Sequence, residues 1–362
     1  MTTVSSEEQA TALIDRLLES AAGFFTVYSA YVGHKLGFYD ALAGGPLTSV
    51  QLAETTGTHE RYIREWLEQQ AVTGVLTLEA NDADPAKRVY SLPPGHAEVL
   101  TDEDSLNYLT PLVRLLVGAV SPLPRVLDAY RSGGGVPYAD YGPDLIEGQA
   151  AINRAMLLQL LGGEWLPAVP AVHARLQASP PARVADFGCG AGWAAIGIAK
   201  AYPDTLVDGF DLDPGSIGLA NENAAAHGVA DRLKFQVRDA GDPSLSGRYD
   251  LVIAVECIHD MSDPVAALTV MRKLAGEDGA VVVVDERVGD EFSPPGSDLE
   301  WMMYGWSMLH CLPAGMADQP SAGTGTVLRA PVLARYAEDA GFSRTEVLPI
   351  EADFFRFYRL HA

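Results

Sequence analysis

Apolar positions recur with the 3.6-residue period of a helix through much of the first half of the chain and gather into short solid runs in the second. Residues 10–42, with FFTVYSAYVGHKLGFYDAL, carry one apolar face and predict helices. In LTSVQLAETTGTHERYIREWLEQQAVTGVL, Thr48 and Gln51 form a capping box that opens a short helix. Gly57 closes it, and Thr58 is placed to cap a second helix in which Tyr62, Ile63, Trp66 and Leu67 recur at helical spacing. Residues 75–79 and 88–92 alternate as two strands around the turn-rich NDADPAK. Helix, turn, helix and hairpin predict a winged helix within residues 1–100.

Residues 101–178 read as helical again, broken at SPLPRVLDAYRSGGGVPYADYGPD. Gly133, Gly134, Gly135, Pro137 and Pro143 there surround Arg131, Tyr138 and Tyr141, which suits a substrate-side loop or a plain connector. From residue 182 the runs ARVADFG, LVDGFDLD, LKFQVRDA, YDLVIAVE and GAVVVVDE predict five buried strands with helices between them. That alternation argues an α/β domain over 179–362, built on a parallel doubly wound sheet. Residues 320–325, rich in Ser, Gly and Thr, suggest a flap. A helix over 329–342 and antiparallel strands at 347–349 and 354–360 complete the domain.

Composition narrows the partners. The net charge of −23 opposes binding to nucleic acid, which rests on Lys and Arg neutralising phosphates. In the second winged-helix helix Glu60, Glu65 and Glu68 stand beside only Arg61 and Arg64, which favours dimerisation over DNA reading. Phe24, Phe25, Tyr28 and Tyr31 are candidates for a homodimer interface. No run of ~18 apolar residues predicts a membrane span, and the N-terminus lacks the layout of a signal peptide. Three cysteines form no disulfide framework and suit the reducing cytoplasm. A small-molecule substrate remains.

The strongest chemical signal is Asp186-Phe187-Gly188-Cys189-Gly190-Ala191-Gly192 at the end of the first long strand. Glycines at alternate positions let the backbone turn tightly and approach a ligand, and a helix N-terminus follows with free N–H groups. The dinucleotide fingerprint requires glycine where Trp193 stands, which disfavours nicotinamide. Asp211 with Leu212, and Asp239 with Ala240, end the next two strands, where ligands bind in such sheets. The fourth strand runs into Glu256-Cys257-Ile258-His259-Asp260. An imidazole that titrates near neutrality suits a general base there; a histidine capping the strand end is the plainer alternative.

An acid opening a glycine loop resembles the class I S-adenosylmethionine-dependent methyltransferases. The resemblance implies that Asp186 holds the cationic methionine end, with Gly188, Gly190, Gly192 and Glu256 around it. It further implies ribose hydroxyls at Asp211, adenine packing at Leu212, and Asp239-Ala240 at the adenine amino edge. His259-Asp260 behind a winged helix is similar to small-molecule O-methyltransferases, in which this His is the base.

The Met- and aromatic-rich stretch from Trp301 to Pro313 carries a second histidine, His310. This pattern resembles metal-dependent 2-oxo acid C-methyltransferases, whose two His ligands would be His259 and His310. The resemblance implies iron or zinc as a second cofactor, with a carboxylate from Asp260 or Glu286 as a third ligand and Arg131 pairing with the substrate carboxylate. Such a metal acidifies the neighbouring C–H as a Lewis acid. The acceptor would then be a 2-oxo acid with an apolar or aromatic side chain. Metal-free O- or N-methylation with His259 as base stays open beside it, as does a winged-helix regulator that senses S-adenosylmethionine.

Overall fold

The computed structural model describes residues 5–362; the first four residues of the expected N-terminal domain lie outside the described residues. The chain divides into two compact units, residues 5–117 with Glu147–Ile152, and Gly118–Ile146 with Asn153–Ala362.

The first unit opens with the 30-residue helix Ser6–Lys35, started by a capping box between Ser5 and Glu8. Helices Phe38–Ala43, Ser49–Thr56 and Glu60–Val72 follow. Thr48 and Gln51 form the expected reciprocal cap, and Gly57 ends that helix in the left-handed region at φ 65°. The next helix is capped by His59, whose ring accepts from Arg61 N–H, and not by Thr58. The Thr58 hydroxyl is already engaged with Thr56, 2.8 Å away. Strands β1 (Leu47–Thr48), β2 (Thr77–Ala80) and β3 (Val89–Ser91) pair antiparallel in the order β1-β3-β2. Ile63, Trp66 and Leu67 join Phe38, Tyr39, Leu42 and Leu52 in the core. Tyr62 stands 80% exposed on the opposite face, one residue off the buried stripe.

The second unit is built on β4 (Arg183–Phe187), β5 (Leu206–Asp211), β6 (Leu233–Val237), β7 (Leu251–Val255), β8 (Ala280–Glu286), β9 (Arg344–Val347) and β10 (Phe355–His361). Their order is β6-β5-β4-β7-β8-β10-β9, parallel except for β10, which runs antiparallel to both neighbours. Side chains alternate across a strand, so each strand feeds two cores. Val184, Val207, Ile253, Val282 and Val284 pack under the helices Trp193–Ala201 and Pro214–Ala226. Ala185, Phe210, Val252, Val281 and Val283 pack on the other face under Pro264–Ala275 and Ala330–Asp339. The expected helix between β6 and β7 is not formed. Residues 238–250 are irregular, because Gly241, Pro243 and Gly247 interrupt a stretch without helical periodicity.

Two segments outside the sheet shape the site. Helix Leu123–Ser132 is followed by glycines and a 3₁₀ turn, Tyr138–Tyr141. Helix Asp298–Trp306 widens into a π-helical turn, Ser307–Cys311, before Leu312–Gly315. Residues 320–325 are fastened and form no free flap: Ala322 N–H donates to Ser262 O at 2.8 Å, and Ser321 Oγ donates to Gly315 O at 2.7 Å. Among the described residues no single helix is long and apolar enough to cross a membrane.

Candidate active site

The loop after β4 is held open by backbone conformation. Gly188, Gly190 and Gly192 have φ of 63°, 49° and 82°, which side chains other than glycine rarely adopt. A Cβ on Gly188 would meet the Cys257 side chain at 2.7 Å. Asp186 is buried, and burial pushes its carboxyl up to about 7. One of its oxygens accepts the Ala195 N–H, while Oδ2 is buried with no partner among the described residues. An orphaned carboxylate oxygen beside three open glycines fits the cationic end of a ligand such as a methionine ammonium.

Asp211 closes the other side of the loop. Its oxygens accept the Gly190 and Asp213 N–H groups, each at 2.9 Å, and burial raises its pKa against those bonds. Each carboxylate oxygen keeps a lone pair for a further donor such as a ribose hydroxyl. Leu212 beside it is 62% exposed, an apolar surface free to cover a flat ligand. Asp239 is exposed and accepts the Gly241 N–H at 2.8 Å, with Ala240 half-buried next to it.

At the carboxyl ends of β7 and β8 a second group of side chains meets. His259 lies in a 3₁₀ turn, Ile258–Asp260, with Nδ1 2.9 Å from Asp285 Oδ1. The two side chains are 4% and 0% exposed. The carboxylate orients the ring through Nδ1, so Nε2 is the nitrogen left to exchange a proton, the arrangement of a base oriented by an acid. Burial alone would lower the imidazole pKa. The Asp285 charge and hydrogen bond, aided by Cys311, outweigh it and hold His259 above its ordinary value.

Cys311 touches both histidines: its Sγ lies 3.5 Å from His310 Nδ1 and is hydrogen-bonded to His259. Burial opposes ionisation of this thiol, yet the two imidazoles bring it down to about 5. The π-helical turn is what turns the adjacent residues His310 and Cys311 both inward, at 5% and 8% exposure. The tyrosine turn closes over them. Tyr141 and Tyr138 set their rings 4.7 and 5.8 Å from the His310 ring, and Tyr141 donates to Leu309 O at 2.9 Å. Gly135 permits that approach, since any Cβ there would lie 2.3 Å from Pro313 O.

Glu256 sits at the β7 end in the left-handed region, φ 52°, the one such non-glycine residue among those described. It accepts a hydrogen bond from the Asn153 amide and shares another with Glu286. Burial lifts Glu256 to about 7 and pushes Glu286 up as well, so one proton is shared between them. Asp260 is likewise raised to about 7, by burial against the pull of His259.

Most of the residues singled out in the sequence are therefore gathered at these strand ends. Arg131 is not: it is 72% exposed and bonded to Asp128 on its own helix at 2.7 Å. The expected metal centre does not form either. His259 Nδ1 is taken by Asp285, His310 Nδ1 faces Cys311, and no group of three or more His, Cys, Asp or Glu among the described residues could hold a metal ion. Iron or zinc is therefore not supported.

Asp285 and Asn153 are the members that sequence reasoning missed. Strand parity could have found Asp285, because it shares a face with Val281 and Val283 and that face packs against Ile258.

Known proteins match the same regions. Residues 179–317 match the family model described as a methyltransferase domain, and residues 26–102 match the Rv2258c-like winged HTH domain. The chain thus carries a methyltransferase domain that follows a winged helix-turn-helix domain in sequence. Ajmaline N-methyltransferase of Rauvolfia serpentina is 31% identical over 121 residues, 33% of this chain and 41% of that enzyme. The chain thus spans about two fifths of the length of the first curated relatives it matches. Over the whole chain, the structure of mitomycin 7-O-methyltransferase MmcR superposes with a TM-score of 0.70 at 20% identity, covering 98% of this chain and 99% of that one. Human N-acetylserotonin methyltransferase in complex with S-adenosylmethionine gives 0.70 at 18% identity, covering 99% of each. These two likenesses establish the fold.

Proposed function

We propose that this chain transfers the methyl group of S-adenosylmethionine to a hydroxyl of a small apolar or aromatic molecule, with His259 as general base and Asp285 as its orienting partner. The observation that carries the reading is the buried 2.9 Å contact between His259 Nδ1 and Asp285 Oδ1 at the carboxyl ends of β7 and β8. S-adenosylmethionine, when bound, supplies the methyl group. Asp186 and the glycine loop hold its cationic end, Asp211 its ribose, and Leu212 with Asp239-Ala240 its adenine. His259 Nε2 takes the hydroxyl proton as the oxygen gains the methyl carbon, and Asp285 stabilises the imidazolium that results. Glu256 and Asp260 keep the surroundings of that cation acidic.

C-methylation of a 2-oxo acid has less support, because no group of three or more metal-ligating side chains gathers among the described residues and Arg131 is exposed to solvent. The relatives described above are N- and O-methyltransferases by name. The regulator reading is weakened by the winged helix itself, where Arg61 and Arg64 are already paired to Glu65 and Glu60.

The partner we infer for the first unit is a second copy of this chain. Leu13, Ile14, Leu17, Leu18, Phe24 and Phe25 recur at helical spacing on the N-terminal helix and stand 53–65% exposed. Three free cysteines are consistent with a reducing cytoplasm.

The test is calorimetry with S-adenosylmethionine and its demethylated product, followed by transfer of labelled methyl to a panel of phenols. Binding of both ligands and a methyl ether product are expected; binding of neither sinks the reading. Light scattering of Phe25→Asp against the native chain tests the dimer, with a halved mass expected.

A further inference from the structure

We infer that His310 is an acceptor-binding residue, and that the acceptor carries a second oxygen on the carbon next to the one that is methylated. The inference rests on the transferase reading above and adds the substrate class.

His310 is 5% exposed, and its Nε2 is buried with no hydrogen-bond partner among the described residues. Buried polar atoms in folded proteins are almost always paired, so an orphan at a site of this kind marks a missing partner. The ring cannot swing away to find one. Tyr138 and Tyr141 flank it, and Cys311 holds Nδ1 at 3.5 Å. A π-helical turn, a form that gathers at functional sites, supports it.

The role of Nε2 depends on what Nδ1 shares with the sulfur. If the thiol donates into Nδ1, the ring proton sits on Nε2. If the pair is thiolate and imidazolium, Nε2 carries a proton as well. If instead the neutral ring donates its Nδ1–H to the sulfur, Nε2 accepts; a hydroxyl, which can donate or accept, satisfies Nε2 in every case.

The position of that oxygen follows from geometry. Both imidazoles contact one atom, Cys311 Sγ. The Tyr138 ring packs against His310, centroids 5.8 Å apart. A hydroxyl delivered to His259 turns its neighbouring substituents toward the His310 ring across the same sulfur. A catechol or an ortho-hydroxy carbonyl supplies such a pair of oxygens. A lone phenol supplies one. The acids around His259 favour an uncharged pair over a carboxylate.

The experiment uses the full chain saturated with the demethylated cofactor, and titrates catechol and phenol as probes. Binding is read by calorimetry and by the Nε2 proton and nitrogen resonances of His310. Catechol is expected to bind at least about tenfold more tightly than phenol, the usual worth of a charge-assisted hydrogen bond, and to shift the His310 signals. His310→Phe keeps a ring between the tyrosines and removes Nε2; it should erase the preference and leave phenol and cofactor affinity unchanged. His310→Gln, which places an amide N–H near the position of Nε2, should restore part of it. In turnover the same variants should raise the KM for catechol with little change in kcat.

Equal affinity of the native chain for catechol and phenol overturns the inference, as does an equal loss for both probes in His310→Phe. Should His310→Phe fail to fold, unmoved His310 resonances on catechol addition overturn it equally. Absence of any methylated product, with the binding preference intact, would count against the transferase reading and leave the binding role of His310 standing.

Discussion

The two halves of the candidate site are built in opposite ways. The cofactor half is written in backbone: three left-handed glycines, a helix N-terminus at Trp193, and two acids at successive strand ends 25 residues apart (211 − 186 = 25). The acceptor half is written in side chains brought from four separate places, 138–141, 256–260, 285–286 and 307–311. The geometry of the first half follows from the strand order and the loop. In the second half the π-turn and the tyrosine turn lie outside the sheet, while Asp285 and Glu286 are the last residues of β8. Cofactor chemistry and acceptor choice are thereby separated within one fold.

Substitutions should respect that separation. His259→Ala is expected to lower kcat by about a hundred- to ten-thousand-fold, the usual range for a lost general base, while the dissociation constant for S-adenosylmethionine holds. Calorimetry beside steady-state kinetics reads both; a parallel loss of cofactor affinity would merge the two halves. Asp211→Ala should do the reverse, weakening the cofactor by about 10- to 100-fold through lost charged hydrogen bonds, with kcat at saturating cofactor close to native.

A pH profile sharpens the acceptor half. Asp285 holds the His259 imidazole above its ordinary pKa, so the base is protonated and idle at low pH. Activity as kcat/KM should climb as pH rises through that raised value. Asp285→Asn removes the charge that raises it, so the limb should move to lower pH while the plateau falls. A limb that stays in place would show that another group titrates.

The smallest effect belongs to the loop. Gly188→Ala sets a methyl 2.7 Å from the Cys257 side chain at a φ of 63°. Strain of this kind costs about 1–3 kcal/mol, to be read as a lowered midpoint in thermal unfolding, with a modest weakening of cofactor binding.

Legibility in the sequence follows the same division. The glycine loop, Asp211 and Asp239 could be recognised because each is tied to the end of a solid apolar run, and the winged helix because its caps and turns are local. Even there, His59 took the cap expected of Thr58, since the Thr58 hydroxyl had a nearer partner in Thr56. The acceptor half was legible only in part. His259 and His310 were visible as residues, but their relation was not. A π-helical turn has no sequence period of its own, so the sequence does not fix that His310 and Cys311 both turn inward. Asp285 and Glu286 are neighbours on opposite faces of β8, and choosing between them as the partner of His259 needs the face on which Ile258 packs. The metal reading rested on two histidines 51 residues apart in sequence (310 − 259 = 51). In the fold a thiol lies between their rings, and one of them is already committed to a carboxylate.

The central claim is transfer to oxygen by the His259–Asp285 pair without a metal. The most direct test offers the protein, with labelled S-adenosylmethionine, a mixture of catechol and phenylpyruvate, with and without a strong chelator, and locates the label by carbon NMR. The account predicts an aryl methyl ether, formed equally with chelator and lost in His259→Ala. Label on the carbon beside the keto group, abolished by chelator and restored by iron or zinc, would contradict it.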